Sequence, residues 1–468
     1  MYRLFNIALL LISVNLFAGE VTIKGIGPTY PNQKFRIDIV TDFLTKKKEA
    51  VYAGITDEKG NFTAFFDVKE VKMVFIDFGK AKRTLFVEPG KTYEVAISPL
   101  SKQIAKEQGF LAKEIYPVAI KENDSTELNN LIEEIDTRLA RFFMLYGDTL
   151  TTSGGQQKIA KFITRLEKYN KYENPYFKQY LKYTIGSFES MQFKAHPEKV
   201  RMKYFLTQPM DLNNIQYCGL FQNLFRGYLK YEVALDSKKN IVSFMNARQY
   251  RGTLAQLSPG NPYNEDLTNL ILAYSCLEIQ NNPAYQSKST EVLLDSIIKS
   301  TTNPQVKAVA ENVKAKIFQL QPGTVAPEIV LLDSANHEFK LSDHKGKYVY
   351  ISFFKSYDNN YAEELKVLGF LQERYKDKLE VVSISTDYDS KQFDKFIDTH
   401  NYPWTFLHYQ KSEELLMNYH IEDVRTENYE RNQLVKWILI SPDGKIVYYP
   451  AKSPIQGFEY QLKRLIEG

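Results

Sequence analysis

The number and spacing of cysteines indicate whether a chain can form a redox site or a metal site. The chain of 468 residues contains two cysteines, Cys218 and Cys276. They form no Cys-x-x-Cys motif, and two cysteines are too few for a metal cluster. In an oxidising compartment they could form a disulfide, which would contribute about 4 kcal/mol through loop closure. The alternative is two buried free thiols, since cysteine is among the most frequently buried residue types.

The other reactive residue types show no catalytic or ligand-binding spacing. The six histidines are scattered, without the His-x-x-x-His or His-Glu pairing of metal sites. The chain also lacks the Gly-x-x-x-x-Gly-Lys phosphate loop and the Gly-x-Ser-x-Gly motif of serine nucleophiles. The sequence therefore predicts no metal site and no cofactor.

The first 18 residues are typical of a secretory signal peptide. Arg3 gives a positive start, Leu4 to Phe17 is almost wholly apolar, and the small residues Ala18-Gly19 follow. The apolar run is shorter than the ~20 residues of a membrane-spanning helix, and no later segment qualifies. No cysteine follows it for a lipid anchor. We therefore expect cleavage near Ala18, export to the periplasm of a Gram-negative bacterium, and no transmembrane segment in the mature chain.

The length and net charge of the chain limit the number of domains and the kinds of partner. The chain is too long for one hydrophobic core, and two to four domains are expected. The formal net charge of +4 is small for this size and gives no reason to expect nucleic acid as a partner.

Three regions with different patterns follow the signal segment. Residues 20–98 contain seven short β-rich runs separated by turn residues, which predicts a small antiparallel β-sandwich. Residues 100–320 have helical periodicity, for example Leu128, Leu131 and Ile135. Aromatic residues recur along these helices; they could form a ligand-binding surface, but a periodic stripe favours the helix core.

The pattern of strands and helices in residues 322–468 predicts an α/β domain. The apolar strand Tyr348–Phe354, the helix Ala362–Tyr375 and the strand Leu379–Ser385 make a βαβ unit with a parallel strand pair. A hairpin turn follows at Ser441-Pro442-Asp443-Gly444-Lys445, and a helix closes the chain. The predicted fold class is multidomain α+β: an N-terminal β-sandwich, a central all-α region and this C-terminal α/β domain.

Short motifs stand in a characteristic order in this last region and in the β-rich one. In the last region they are Gly323-Thr324-Val325-Ala326-Pro327-Glu328, Leu341-Ser342-Asp343, Phe353-Phe354, Ser383-Ile384-Ser385-Thr386-Asp387 and the hairpin turn, and in the β-rich region Thr56–Phe62 and Leu85–Gly90. The last region resembles the thioredoxin-like family that includes TlpA-type oxidoreductases and peroxiredoxins, which implies a thioredoxin fold for residues 322–468. The β-rich region resembles a β-domain of unknown function that often precedes such domains in exported bacterial proteins.

The resemblance places redox residues at positions where this chain has none. In the family a Cys-x-x-Cys pair opens the first helix, where the first thiol attacks and the second resolves the mixed disulfide. Asp358 aligns with the nucleophile, Tyr361 with the resolving cysteine, and Val435 with the family's cis-proline. We therefore expect no thiol–disulfide chemistry. Asp358 is expected to cap the helix, and an acid/base role is the alternative.

The same resemblance implies a surface for partners. Members of the family recognise clients beside the start of the first helix and the loop before the hairpin strand. An insertion of polar and charged residues, Glu422 to Asn432, precedes that strand here. The candidate partner surface comprises Tyr357, Asn359 and Asn360, flanked by Asp358, Tyr361, Val435 and the insertion.

Three functional hypotheses remain. The leading one is an exported, non-catalytic binding or scaffold protein whose partner is an envelope protein or a peptide. The alternative is a thiol–disulfide oxidoreductase acting through Cys218 and Cys276 or together with a partner. A third is a carbohydrate- or peptide-binding module that uses the aromatic helices and the β-domain.

Overall fold

The computed structural model describes most of the chain after residue 18. The residues predicted as signal peptide and insertion, and Val435, lie outside the described ranges. The described residues are 19–28, 30–78, 82–97, 115–120, 124–150, 152–193, 196–233, 240–258, 264–280, 282–333, 337–387, 390–400, 402–409, 412–421 and 436–467.

The chain folds into two compact units. The N-terminal unit, Met1–Val313, contains the β-sheets and the central helices, and the C-terminal unit, Lys314–Gly468, contains an α/β sheet. This confirms the predicted fold class. The division into domains at 20–98, 100–320 and 322–468 stays a prediction.

The N-terminal unit begins with a two-sheet sandwich whose facing sides share one apolar core. The sheet orders are β4-β1-β7-β9 and β3-β2-β5-β6-β8. All seven predicted strands are present. The strands are β1 (Gly19–Ile26), β2 (Lys34–Asp42), β3 (Lys47–Ile55), β4 (Asn61–Val68), β5 (Lys72–Asp77), β6 (Lys82–Val87), β7 (Thr92–Ala96), β8 (Ile115–Pro117) and β9 (Ala119–Ile120).

One prediction about this sandwich was wrong. It is not wholly antiparallel, because β1 pairs with β7 and β6 pairs with β8 in parallel. Two further strands that the sequence did not predict, β8 and β9, also belong to the sandwich. Val118, between them, is buried in the sandwich core, and its N–H donates to the Thr84 carbonyl. Strands of two or three residues are too short to show a period in the sequence.

Helices fill the rest of the N-terminal unit. Their aromatic residues mostly face the core, as the periodicity favoured: Phe177, Tyr183, Phe221 and Phe225 are all buried. The α-helices are α1 (Leu128–Tyr146), α2 (Ser153–Glu167), α3 (Pro175–Gln192), α4 (Pro197–Arg201), α5 (Ile215–Phe225), α6 (Ile241–Asn246), α7 (Tyr250–Leu257), α8 (Glu265–Ile279), α9 (Ser287–Ser300) and α10 (Pro304–Phe318), of which α10 continues past Val313 into the C-terminal unit.

One carboxyl group between sandwich and helices predicts a pH-dependent stability. Burial, and then repulsion from Glu70, raises the pKa of Asp211 to about 6. A group whose pKa is raised on folding stabilises the fold below its unfolded pKa, near 3.8, and this contribution disappears as the pH rises through 6. Replacing Asp211 by asparagine should therefore stabilise the unit by about 1–2 kcal/mol at pH 7.5 and leave it unchanged at pH 4. Urea unfolding followed by far-UV circular dichroism at both pH values tests this; an equal effect at both would contradict it.

The C-terminal unit is a five-stranded sheet covered by helices. Its order is β14-β13-β12-β15-β16, with β12, β13 and β14 parallel and β15 and β16 antiparallel. The predicted βαβ unit and hairpin are present. The elements are β10 (Val330–Leu332), β11 (Glu338–Lys340), β12 (Tyr348–Phe354), α11 (Asn359–Arg374), β13 (Leu379–Ser385), α12 (Ser390–Thr399), β14 (Thr405–His408), α13 (Glu413–Asn418), β15 (Lys436–Ile440), β16 (Ile446–Tyr448) and α14 (Phe458–Ile466).

Side-chain alternation along β12 separates two apolar layers, one on each face of the sheet. Ile351 and Phe353 pack into one layer, and Tyr350 and Phe354 into the layer beneath α11. Because successive side chains of a strand point to opposite faces, Ser352 lies on the α11 face. This alternation decides what α11 can contact at its first turn.

The segment that enters the C-terminal unit covers both edges of this sheet. The Gly323 N–H donates to the Ile446 carbonyl, and the Ile446 N–H donates to the Thr324 carbonyl, both at 2.8 Å. At the opposite edge Asp333 forms a β-bridge with Leu407. Both edge strands therefore have backbone partners, which blocks edge-to-edge pairing there.

Candidate functional site

The candidate site lies where three parallel strands end. β12 ends at Phe354 and α11 begins at Asn359, so Lys355–Asp358, here called the Tyr357 loop, connect them. β13 is the parallel neighbour of β12 and places Ser385 beside Phe354, and β14 places His408 beside Ser385. The carboxyl ends of parallel strands are where open α/β sheets bind their ligands.

Tyr361 is part of the core and not of the surface on which the sequence analysis placed it. Its side chain is 1% exposed, and its ring stacks on Phe354 with centroids 4.2 Å apart. Its hydroxyl donates to Ser383 Oγ at 2.8 Å and lies 2.8 Å from Ser352 Oγ. Burial raises the pKa of this phenol above its usual range. The position of the expected resolving cysteine is thus filled by a large ring whose hydroxyl is satisfied.

This hydrogen-bond cluster extends to a tryptophan. Ser383 Oγ also accepts a bond from Trp404 Nε1 at 3.0 Å, and both serines are fully buried. Buried hydroxyl groups are stable only when they are hydrogen-bonded, so the cluster depends on the Tyr361 hydroxyl.

Asp358 is buried at the start of α11. It is 8% exposed, its N–H donates to the Lys355 carbonyl at 3.0 Å, and its carbonyl accepts the Tyr361 N–H at 3.1 Å. These backbone bonds form the turn that leads into the helix. Capping by its carboxylate stays a prediction.

Tyr357 is an exposed residue of the predicted partner surface. Its side chain is 58% exposed, and partial burial, followed by the nearby charges of Asp387 and Asp358, raises the pKa of its hydroxyl. Asn359 and Asn360 form the first residues of α11. The insertion and Val435, which would complete the surface, lie outside the described residues.

The structure also brings together three ionisable residues that were not among the predicted site residues. Lys355, Asp387 and His408 are 5%, 1% and 9% exposed and lie at the ends of β12, β13 and β14. Burial lowers the pKa of His408, so its ring is neutral near pH 7. An ionisable residue at or within two residues of the end of a buried strand is the signal that could have found them. Their assembly depends on the order of the strands in the sheet.

A buried carboxyl on α11 was also missed. Glu364 is 7% exposed and accepts the N–H of Ile455 at 3.0 Å, which joins α11 to the segment before α14. Glu364 is three residues after Tyr361, so both side chains lie on the same face of α11.

The two cysteines are free and buried in helices of the N-terminal unit. The disulfide that the sequence left open is not formed in the structure. The Cys218 thiol donates to the Leu212 carbonyl, just before its own helix α5, with 3.4 Å between Sγ and the oxygen. Burial raises the pKa of Cys276 to about 12 and that of Cys218 well above its usual range. Neither thiol is therefore activated for thiolate chemistry.

We expect thiol labelling to follow unfolding. Maleimide should not modify the folded protein within minutes and should modify both cysteines in urea without any reductant, because both thiols are buried and unpaired. Mass spectrometry of the labelled chain counts the modified sites. Labelling that requires a reductant would show a disulfide between Cys218 and Cys276.

The described residues contain neither a metal-binding cluster nor a membrane-spanning helix. Within the described ranges, no group of three or more His, Cys, Asp or Glu side chains has a metal-binding arrangement. No helix among the described residues combines the length and the apolar character needed to cross a membrane.

Comparison with known proteins identifies the C-terminal domain. Residues 322–449 match the model of the AhpC/TSA family. The chain is 31% identical over 91 residues to the thioredoxin-like protein YneN of Bacillus subtilis strain 168. Residues 322–449 form a thioredoxin-like domain. The YneN match covers 19% of this chain and 54% of the relative, so the chain spans about half the length of that relative.

Solved structures similar to this chain match about a third of it. The thioredoxin domain of a thiol-disulfide oxidoreductase from Bacteroides vulgatus is 24% identical, with 31% of this chain and 98% of that one covered and a TM-score of 0.27. The pneumococcal exposed lipoprotein thioredoxin Etrx1 of Streptococcus pneumoniae strain TIGR4 is 19% identical, with 30% and 100% covered and a TM-score of 0.25.

Proposed function

We propose that this protein is an exported, non-catalytic binding or scaffold protein that uses its thioredoxin-like domain as a recognition surface. The observation that carries the proposal is Tyr361, which fills the resolving position and is bonded to Ser352 and Ser383. A carboxylate at 358 and a buried phenol at 361 cannot form the disulfide on which the family's chemistry depends.

An oxidoreductase acting through Cys218 and Cys276 is less well supported. Both thiols are buried, and burial raises the pKa of each. Attack on a disulfide requires an accessible thiolate, and neither residue provides one near neutral pH.

Tyr357 supports a binding role for the same domain. It is exposed at the carboxyl edge of the sheet, in the Tyr357 loop, whose other side chains are buried or half-buried. Tyrosine offers a large rigid contact area with a hydrogen-bonding tip, which suits a protein or peptide interface. The partner is proposed to be an envelope protein or a peptide, and the compartment the periplasm of a Gram-negative bacterium.

The redox part of the proposal is tested with insulin. The natural chain, in the presence of dithiothreitol, should reduce insulin no faster than a Cys218→Ala/Cys276→Ala variant. Because that variant contains no cysteine, it gives the background of the assay. A rate clearly above this background would contradict the proposal that the protein is non-catalytic.

The binding part is tested by capture from the envelope. The natural protein, Tyr357→Ala and Tyr460→Ala are compared by cross-linking in cells. Tyr460 is a matched control, since it is 65% exposed in the same unit on α14. We expect a cross-linked partner that is lost with Tyr357→Ala and kept with Tyr460→Ala. Equal capture by all three proteins would show that the interaction does not depend on Tyr357 and uses another surface.

A further inference from the structure

We propose that Asp387 is the positioning residue that holds the Tyr357 loop in one conformation, so that the ring of Tyr357 is presented as a pre-organised contact. This inference rests on the proposed function, because it concerns the surface through which the domain would bind. It assigns a purpose to a buried carboxylate outside the positions of the family's redox residues.

The first support is a direct bond between two strand ends. The Ser356 N–H lies 3.1 and 3.2 Å from the two oxygens of the Asp387 carboxylate. Ser385 Oγ donates to Asp387 Oδ2 at 2.6 Å, and the Asp387 N–H donates back to Ser385 Oγ at 3.1 Å. The carboxylate at the end of β13 therefore fixes the backbone directly before Tyr357.

A second group of bonds fixes the segment that carries Asp387. The Thr386 N–H and hydroxyl donate to the Phe354 carbonyl at 2.8 and 3.0 Å. The Lys355 ammonium donates to the Thr386 carbonyl. His408 Nε2 lies 2.7 Å from the Asp387 carbonyl, to which it can donate as the neutral ring. The ends of β12, β13 and β14 are thus connected to one another around the loop.

The residues that hold the loop are buried, whereas the residue that the loop presents is exposed. Asp387 is 1% exposed and Lys355 is 5% exposed, whereas Tyr357 is 58% exposed. A buried carboxylate is tolerated only where hydrogen bonds compensate its lost hydration, so Asp387 is held in one orientation by its donors. A contact residue fixed before binding loses less conformational entropy when the partner arrives.

Hydrogen exchange of the full-length chain tests this inference without any partner. Mass spectrometry would compare the peptide 353–358, which contains the Ser356 amide, with the peptide 362–368 from inside α11. For Asp387→Ala we expect exchange in 353–358 to rise about ten- to a hundredfold, because a charge-assisted bond is lost, with 362–368 unchanged. Asp387→Asn retains an acceptor and should show a smaller rise.

A fluorine-labelled tyrosine analogue at position 357 gives a second readout. Its resonance should sharpen in Asp387→Ala as the ring becomes more mobile. The matched control is Asp443→Ala, since Asp443 also accepts a serine hydroxyl and lies in the hairpin turn between β15 and β16. Neither readout should change in this control.

Two results would overturn the inference. One is unchanged exchange in 353–358 with Asp387→Ala. The other is equal loss of protection in both peptides for the alanine and the asparagine variants, which would make Asp387 a residue of general stability. Because no partner is used, failure here is distinct from failure of the proposed function, which the insulin and capture experiments decide.

Discussion

Replacing Tyr361 by alanine is expected to lower the free energy of unfolding of the C-terminal unit by about 3–5 kcal/mol. The substitution removes a fully buried ring that stacks on Phe354 and leaves a cavity beneath α11. It also removes the hydroxyl that bonds to Ser352 and Ser383, two serines with no exposure to solvent. Both effects act in the same direction, so this should be among the most destabilising changes in the domain.

Tryptophan fluorescence during urea unfolding reports on this unit alone. The chain has two tryptophans, Trp404 and Trp437, and both lie in the C-terminal unit. Trp437 is also near the mutated site, with its ring centroid 5.9 Å from that of Tyr361.

Two companion variants separate the ring from the hydroxyl. Tyr361→Phe keeps the ring and should cost about 1–3 kcal/mol, because buried serine hydroxyls lose a partner. Tyr460→Ala removes an exposed tyrosine and should change stability by no more than about 0.5 kcal/mol. A cost below 1 kcal/mol for Tyr361→Ala would mean that position 361 is not part of the core and would weaken the proposed function.

Introducing a thiol pair is expected to create redox activity above that of a cysteine-free variant. The variant would carry Asp358→Cys and Tyr361→Cys in the Cys218→Ala/Cys276→Ala background. Position 358 directly precedes a helix of 16 residues, whose N-terminus stabilises a thiolate. Position 361 is one helical turn further and buried, where the second thiol can resolve a mixed disulfide.

The expected readouts are oxidation of the pair to a disulfide and reduction of insulin above the cysteine-free background. Because the Tyr361 ring is removed, the variant should also lose part of the stability that this ring provides. Asp358→Cys alone is the matched control, since it places the thiol without a resolving partner. Failure of the pair to oxidise would mean that the loop no longer has redox geometry, and that more than two substitutions separate this domain from an oxidoreductase.

The two experiments address different parts of one explanation. The first asks whether Tyr361 has become structural, and the second asks whether the surrounding backbone still suits thiols. A large cost for Tyr361→Ala together with an active thiol pair would indicate that the fold was kept while its chemistry was replaced residue by residue. An inactive pair would indicate that the Asp387 and Lys355 contacts have reshaped the loop as well.

Local patterns in the sequence determined much of the fold. Seven of the nine described strands of the sandwich, the βαβ unit and the hairpin turn at Ser441–Lys445 were all predicted, because each depends on residues close together in the chain. Gly444 shows why: its φ of +82° requires a glycine-like residue, and the Gly444 N–H donates to the carbonyl of Ser441, three residues away. The absence of a Cys-x-x-Cys motif is likewise a property of the sequence alone.

Contacts between distant residues were decided only by the tertiary structure. The strands β8 and β9 are too short for a period and exist because β6 and β7 accept them as neighbours. The buried group of Lys355, Asp387 and His408 spans three strands, and no spacing along the chain relates them. Tyr361 could be aligned with a resolving cysteine, but whether its ring faced solvent or core depended on Ser352, Ser383 and Phe354 beneath it. Burial is a property of what packs against a side chain, and packing partners come from the whole fold.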